Sequence, residues 1–211
     1  MRSTRSTAPV GVSITVPGHW YEFDIHPASR DDNIRRAVND RIREAPELAP
    51  HRPALLKLLR AMARDAWDSG ALYCGCHAEE VDGTPVTASV TMAVVSTRSP
   101  SGELLDTDPR AMAASLKPKA ALHENDTWQR VSTVDIPEVG PAARSEGVED
   151  VRLPGSPRRV RLATMQTFVR VPGSAEHLAV ITGTTPALAL QDAFLDVFDA
   201  ITSTFRFDHA T

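Results

Sequence analysis

Apolar residues recur along this chain in two periods, and the period predicts the element. Val12 to Ile25, VSITVPGHWYEFDI, reads as extended chain broken by a turn at Pro17-Gly18. Ser29 with Asp32 three residues on forms a capping-box variant, Asp standing in for the usual Glu or Gln. Ile34, Val38 and Ile42 follow at four-residue spacing, one narrow apolar stripe on a charged helix that stops before Pro46. A second helix fits RPALLKLLRAMARDAWDSG, with Pro53 near its start and Gly70 as its stop. Leu55, Leu59, Met62 and Ala66 line one face, widened by Leu56, Leu58 and Trp67.

The middle of the chain changes to period two. Strands are predicted near Leu72–Val81, Val86–Val95, Trp128–Ile136, Val160–Val171 and Leu178–Thr184. RSPSGELLDTDP and PEVGPAARSEGVEDVRLPGSP read as loops by composition, and a short helix fits near Arg110–Leu116. The last helix is the clearest. Thr185 is placed to cap it, Pro186 occupies its first turn, and Leu190, Phe194, Val197, Phe198 and Ile201 make a wide stripe. FRF then leaves the helix as extended chain.

Candidate chemistry centres on LYCGCHAEEV, Leu72 to Val81, which holds both cysteines and a histidine. Residues two apart share a strand face, so Leu72, Cys74, Cys76 and Ala78 point one way and Tyr73, Gly75, His77 and Glu79 the other. The next strand has the same phase, with Val86, Ala88, Val90 and Met92 against Thr87, Ser89 and Thr91. Bringing the two apolar faces together requires a loop of odd length. Val81-Asp82-Gly83 supplies it, and Cys76 then pairs with Ala88, Cys74 with Val90 and Leu72 with Met92. On that register the thiols lie in an aliphatic row as small hydrophobes. Tyr73, His77, Thr87, Ser89 and Thr91 form a polar face on the other side, either a solvated sheet face or the surface for a ligand or partner. His77 faces away from the thiols, and a zinc site needs about four ligands, so no metal and no cofactor is expected.

Composition narrows the function classes. The 211 residues, 42% hydrophobic, suffice for a core without disulfides or metals. They are expected to form one α+β domain over residues 10–211 behind a disordered tail at 1–9. A net charge of −4 argues against nucleic acid as a partner. Neither a signal-type apolar segment nor a membrane-length apolar run stands out, which predicts a cytoplasmic chain without membrane insertion. There is no GxSxG, P-loop or GxGxxG motif. HENDT, His123 to Thr127, reads as a solvated turn, and RRVR, Arg158 to Arg161, as a small basic cluster at a strand start.

VPGHWYEFDI resembles the strand–Pro–Gly–Trp opening of the Mog1/PsbP-like group, and FLDVFDAITSTFRF resembles its closing helix and strand. The same stretches are similar to a group of uncharacterised proteins from high-GC Gram-positive bacteria. The resemblance implies an α/β/α sandwich with a curved antiparallel sheet, and a non-enzymatic adaptor or assembly factor with a protein partner. It covers the two ends of the chain and carries no catalytic residues. The alternative by element order is the helix-grip fold, whose C-terminal helix closes over a small apolar ligand. A weaker alternative is a hydrolase or redox enzyme using His77 or Cys74 and Cys76.

Overall fold

The computed structural model describes residues 11–22, 24–81, 83–121, 123, 126–152 and 159–208. The expected tail at 1–9 lies outside them. Chain order is β1 (Gly11–Ser13), β2 (Tyr21–Glu22), α1 (Arg30–Glu44), α2 (Arg52–Asp68), β3 (Tyr73–Val81), β4 (Thr84–Ser96), α3 (Pro109–Ser115), β5 (Trp128–Ile136), β6 (Gly140–Arg152), β7 (Arg159–Arg170), β8 (His177–Thr185), α4 (Gln191–Ser203) and β9 (Arg206–Asp208). Seven strands form one open antiparallel sheet in the order β2-β3-β4-β8-β7-β6-β5, and β1 pairs with β9 beside it. This is an α+β fold with helices on both faces of an antiparallel sheet.

Two apolar cores lie on opposite faces of that sheet. On one face α4 presents Phe194, Leu195, Phe198 and Ile201 to Val90, Met165 and Ile181. Burying four such side chains stabilises by about 1.5–3 kcal/mol each. Space for the Phe198 ring comes from Gly183, where an added Cβ would collide with it. On the other face α1 and α2 bring Ile34, Val38, Leu56, Leu59 and Ala63 onto Cys74 and Cys76. Both helices lie against the β2–β3 end of the sheet, whereas α3 lies against β5, β6 and β7.

Several local expectations are corrected. The Ser29 hydroxyl bonds to the Asp24 carboxylate and makes no cap to its own helix. That bond, with the His26 amide, holds the Asp24 carboxyl below its ordinary value. Thr185 ends β8 instead of capping α4. Its buried hydroxyl donates to the Thr87 carbonyl at 2.7 Å and accepts from the Ala187 amide at 3.1 Å, and a 3-10 turn at Leu188–Leu190 intervenes. The segment read as a loop after Pro137 is β6, paired with β5 from Gly140 to Val148 and with β7 from Ala143 to Arg152. It escaped the period-two test because Ala142, Ala143, Ser145 and Gly147 are small and Arg144 and Glu146 are charged, yet all six are buried.

The Phe198–Gly183 contact generates a stability prediction. Gly183→Ala forces the ring aside and is expected to cost about 1–3 kcal/mol in urea unfolding. Phe198→Leu in the Gly183→Ala background should recover part of that loss, because the branched side chain clears the new methyl. Equal losses in the single and double variants would show that the ring is not what the new methyl displaces.

Candidate functional site

The turn between β3 and β4 decides which side chains meet. Val81 pairs with Thr84, so the turn has two residues, of which Gly83 takes φ +76°; Asp82 is outside the described residues. The expected three-residue loop is therefore one too long. A one-residue slip exchanges the faces of a strand, so Cys76 lies opposite Ser89, Cys74 opposite Thr91, and His77 opposite Ala88. The assumption behind the longer loop was a strand with one apolar face. In the structure Cys74, Gly75, Cys76 and His77 are all buried, so β3 is covered on both sides and its apolar pattern fixes no register. Leu72, expected inside, precedes the strand and is 62% exposed.

The five expected surface residues are consequently divided. Tyr73 and His77 face the α4 side. The Tyr73 hydroxyl donates to the Glu22 carboxylate at 3.0 Å, and burial with that carboxylate pushes its ionisation upward. The His77 ring lies 5.8 Å from Trp20, 5.3 Å from His19 and 6.0 Å from Phe194 between centroids. Its Nδ1 is buried without a hydrogen-bond partner among the described residues, and Nε2 lies 3.7 Å from the Glu79 carboxylate. Burial, then His19 and Arg41, hold the imidazole below its ordinary value despite the opposing pull of Glu79.

Thr87, Ser89 and Thr91 face the other way, on the side of the cysteines, where they join polar residues the sequence reading left out. One cross-strand row runs Cys74, Thr91, Thr182, Gln166, Ser145, Val131. The next runs Cys76, Ser89, Thr184, Thr164, Gly147, Gln129. The signal was present in β7 and β8, where Thr164, Gln166, Thr182 and Thr184 recur at the same period as the three residues of β4. Across β4, β8 and β7 burial largely alternates residue by residue, complete toward α4 and mostly partial on this polar side. The rows thus make a half-exposed floor between the α1–α2 pair and α3.

Hydroxyls and amides dominate that floor. Ser89 and Thr184 share a hydrogen bond of 2.9 Å, and the Gln129 amide donates to Ser145 at 2.6 Å. At its β6 end the floor deepens into a cleft of about 340 Å³ lined by Gln129, Ser145, Thr164 and Gln166, with Lys119, Glu149, Asp150 and Arg159 also lining it. Arg161 grips the nearby Asp150 through two bonds of 2.8 Å, which holds that carboxyl below its ordinary value. From Ser89 and Thr91 to Gln129 and Val131 the two rows carry no titratable side chain. Hydroxyls that both donate and accept suit them to binding neutral polar groups.

The thiols close the near end of the floor under α2. Their sulfurs are 3.4 Å apart, hydrogen-bonded without a disulfide, and that hydrogen bond, together with burial, pushes the Cys76 thiol well up. Among the described residues no group of three or more His, Cys, Asp or Glu side chains is arranged to hold a metal ion. No described helix is long and apolar enough to cross a membrane. Of the expected HENDT turn, His123 donates its amide to the Asp126 carboxylate at 2.9 Å, while Glu124 and Asn125 lie outside the described residues.

No protein-family model matches the sequence, and no curated protein matches it. Among solved structures the chain is similar to LpqN of Mycobacterium tuberculosis, involved in cell envelope biogenesis, at 9% identity and a TM-score of 0.46 over 99% of this chain and 88% of that one.

Two measurements check this geometry. Both thiols should resist a disulfide reagent in the folded protein and react in full once it is unfolded, because α1 and α2 bury them. Reaction of either at native pH would place it at the surface. His77 binds its proton less tightly folded than unfolded, so stability is full above the ordinary imidazole value and is lost as pH falls through the folded one. The urea midpoint should drop as pH falls below the ordinary imidazole value of about 6.5, and His77→Phe should flatten that drop.

Proposed function

We propose that this chain is a non-enzymatic binding protein of the adaptor or assembly kind, on a Mog1/PsbP-like sandwich, and that the polar floor of its sheet holds an extended, uncharged segment of a protein partner. The observation that carries this reading is the pair of adjacent rows of neutral hydrogen-bonding side chains crossing β4, β8, β7 and β6. Adjacent strands lie about 4.8 Å apart and an extended chain rises about 3.3 Å per residue, so a chain crossing them passes from one strand's side chains to the next about every one and a half residues. The backbone of these interior strands is already paired, which leaves recognition to the side chains. Strand addition at the edges is disfavoured. β2 is two residues long, and Lys119 already bridges to Gln129 on the outer side of β5.

The packing under α4 favours this reading over a carrier of a small apolar ligand. Phe198 fills the space above Gly183, where a helix-grip carrier would need a void.

A photoreactive benzoylphenylalanine at position 182 tests the proposal, with the same group at position 200 on the exposed side of α4 as control. The expected result in the host cell is one protein adduct formed from position 182, absent from position 200, and lost when Ser89→Arg is added. Equal labelling from both positions, or adducts unaffected by Ser89→Arg, would exclude the floor as the binding surface.

A further inference from the structure

On the α4 face, β6 buries two opposite charges side by side. The side chains of Arg144 and Glu146 are 7% and 9% exposed, while their partners Asp199 and Arg130 are 60% and 70% exposed. Arg144 Nε donates to the buried Thr167 hydroxyl at 3.1 Å and Nη1 pairs with Asp199. Arg130 Nε and Nη2 converge on a single oxygen of Glu146, Oε1, with Nε at 2.6 Å. Arg144 Nη2 and Glu146 Oε2 thus make no hydrogen bond among the described residues, and neither atom is sealed from solvent. The two charges do not pair with each other, although as next-but-one residues of a strand their Cα atoms are about 6.5–7 Å apart.

Both line a cleft of about 340 Å³ between β5, β6 and α4, which Ser132 and Asp196 also line. Taking a charge out of water is costly, and a partner that is itself mostly solvated returns little of that cost. An anion alone would meet Glu146, and a cation alone would meet Arg144. We propose that this cleft binds a small zwitterion carrying an ammonium and a carboxylate on neighbouring atoms, as free amino acids do. The ligand carboxylate takes Arg144 from Asp199, and its ammonium takes Glu146 from Arg130. The exposed partners act as placeholders that swing into solvent. This site is separate from the polar floor, which lies on the opposite face of the sheet.

The placeholder relation gives the test. Glycine is titrated into the full chain, with acetate and methylammonium as half-ligands, and the amide shift of Ser132 is followed by NMR. Glycine should bind saturably and about tenfold or more tighter than either half-ligand, since each charged hydrogen bond contributes at that scale. Arg130→Met and Asp199→Asn remove only exposed groups and should each tighten glycine binding, because its internal competitor is gone. Glu146→Gln should weaken it about tenfold or more. Thermal melts confirm that each variant is folded. The proposal is overturned if glycine fails to saturate the protein and both placeholder variants, if acetate binds as well as glycine, or if removing a placeholder weakens binding, which marks the pairs as purely structural.

Discussion

The two-residue turn between β3 and β4 is the constraint on which the arrangement of side chains depends. Pairing Val81 with Thr84 sends Cys74 and Cys76 to α1 and α2 and His77 to α4. One more residue in the turn would reverse every one of these assignments. The cysteines would then have to share the α4 core with Phe198, and His77 would face the apolar stripe of α2. Because β3 is covered on both sides, its own pattern cannot choose between the two outcomes. The turn chooses, and the flanking helices then fit what it presents.

That explains which parts of the fold were legible. Ile34 and Val38, Leu55 and Leu59, and Phe194, Phe198 and Ile201 announce their helices because each has one apolar stripe and one wet face. β4 and β8 announce themselves for the same reason at period two. β6 does not, because a strand buried on both faces loses its alternation, and Gly, Ala, Ser, Arg and Glu are the residues of loops as well. α1 starts directly after Ser29 and stops before Pro46 as expected but lacks the cap bond, and the start of α4 moved from Pro186 to Gln191. Ser29 and Thr185 have the right side chains for caps, but a local partner, Asp24, and a distant one, the Thr87 carbonyl, take their hydroxyls first.

The candidate site was half legible. Thr87, Ser89 and Thr91 were recognised as one polar face, and the structure keeps them on one face. Tyr73 and His77 were attached to them through the turn length alone, and the correct turn removes both. The extension through Thr182, Thr184, Thr164 and Gln166 required the order β4-β8-β7, in which β8 follows β7 in the chain but inserts next to β4. No local pattern encodes that adjacency.

β6 joins the two surfaces that this molecule offers. Ser145 sits on the polar floor, while its sequence neighbours Arg144 and Glu146 line the cleft on the opposite face. A strand chosen only for stability would place aliphatic residues at these buried positions, since replacing buried ion pairs by well-packed apolar groups is often neutral or stabilising. The same strand is the one whose local sequence argues least for being a strand. Departure from local consistency tends to concentrate where function constrains the residue choice. The small residues Ala142, Ala143 and Gly147 let β6 lie between β7 and β5, so its polar side chains reach both surfaces and take their partners from β5, β7 and α4.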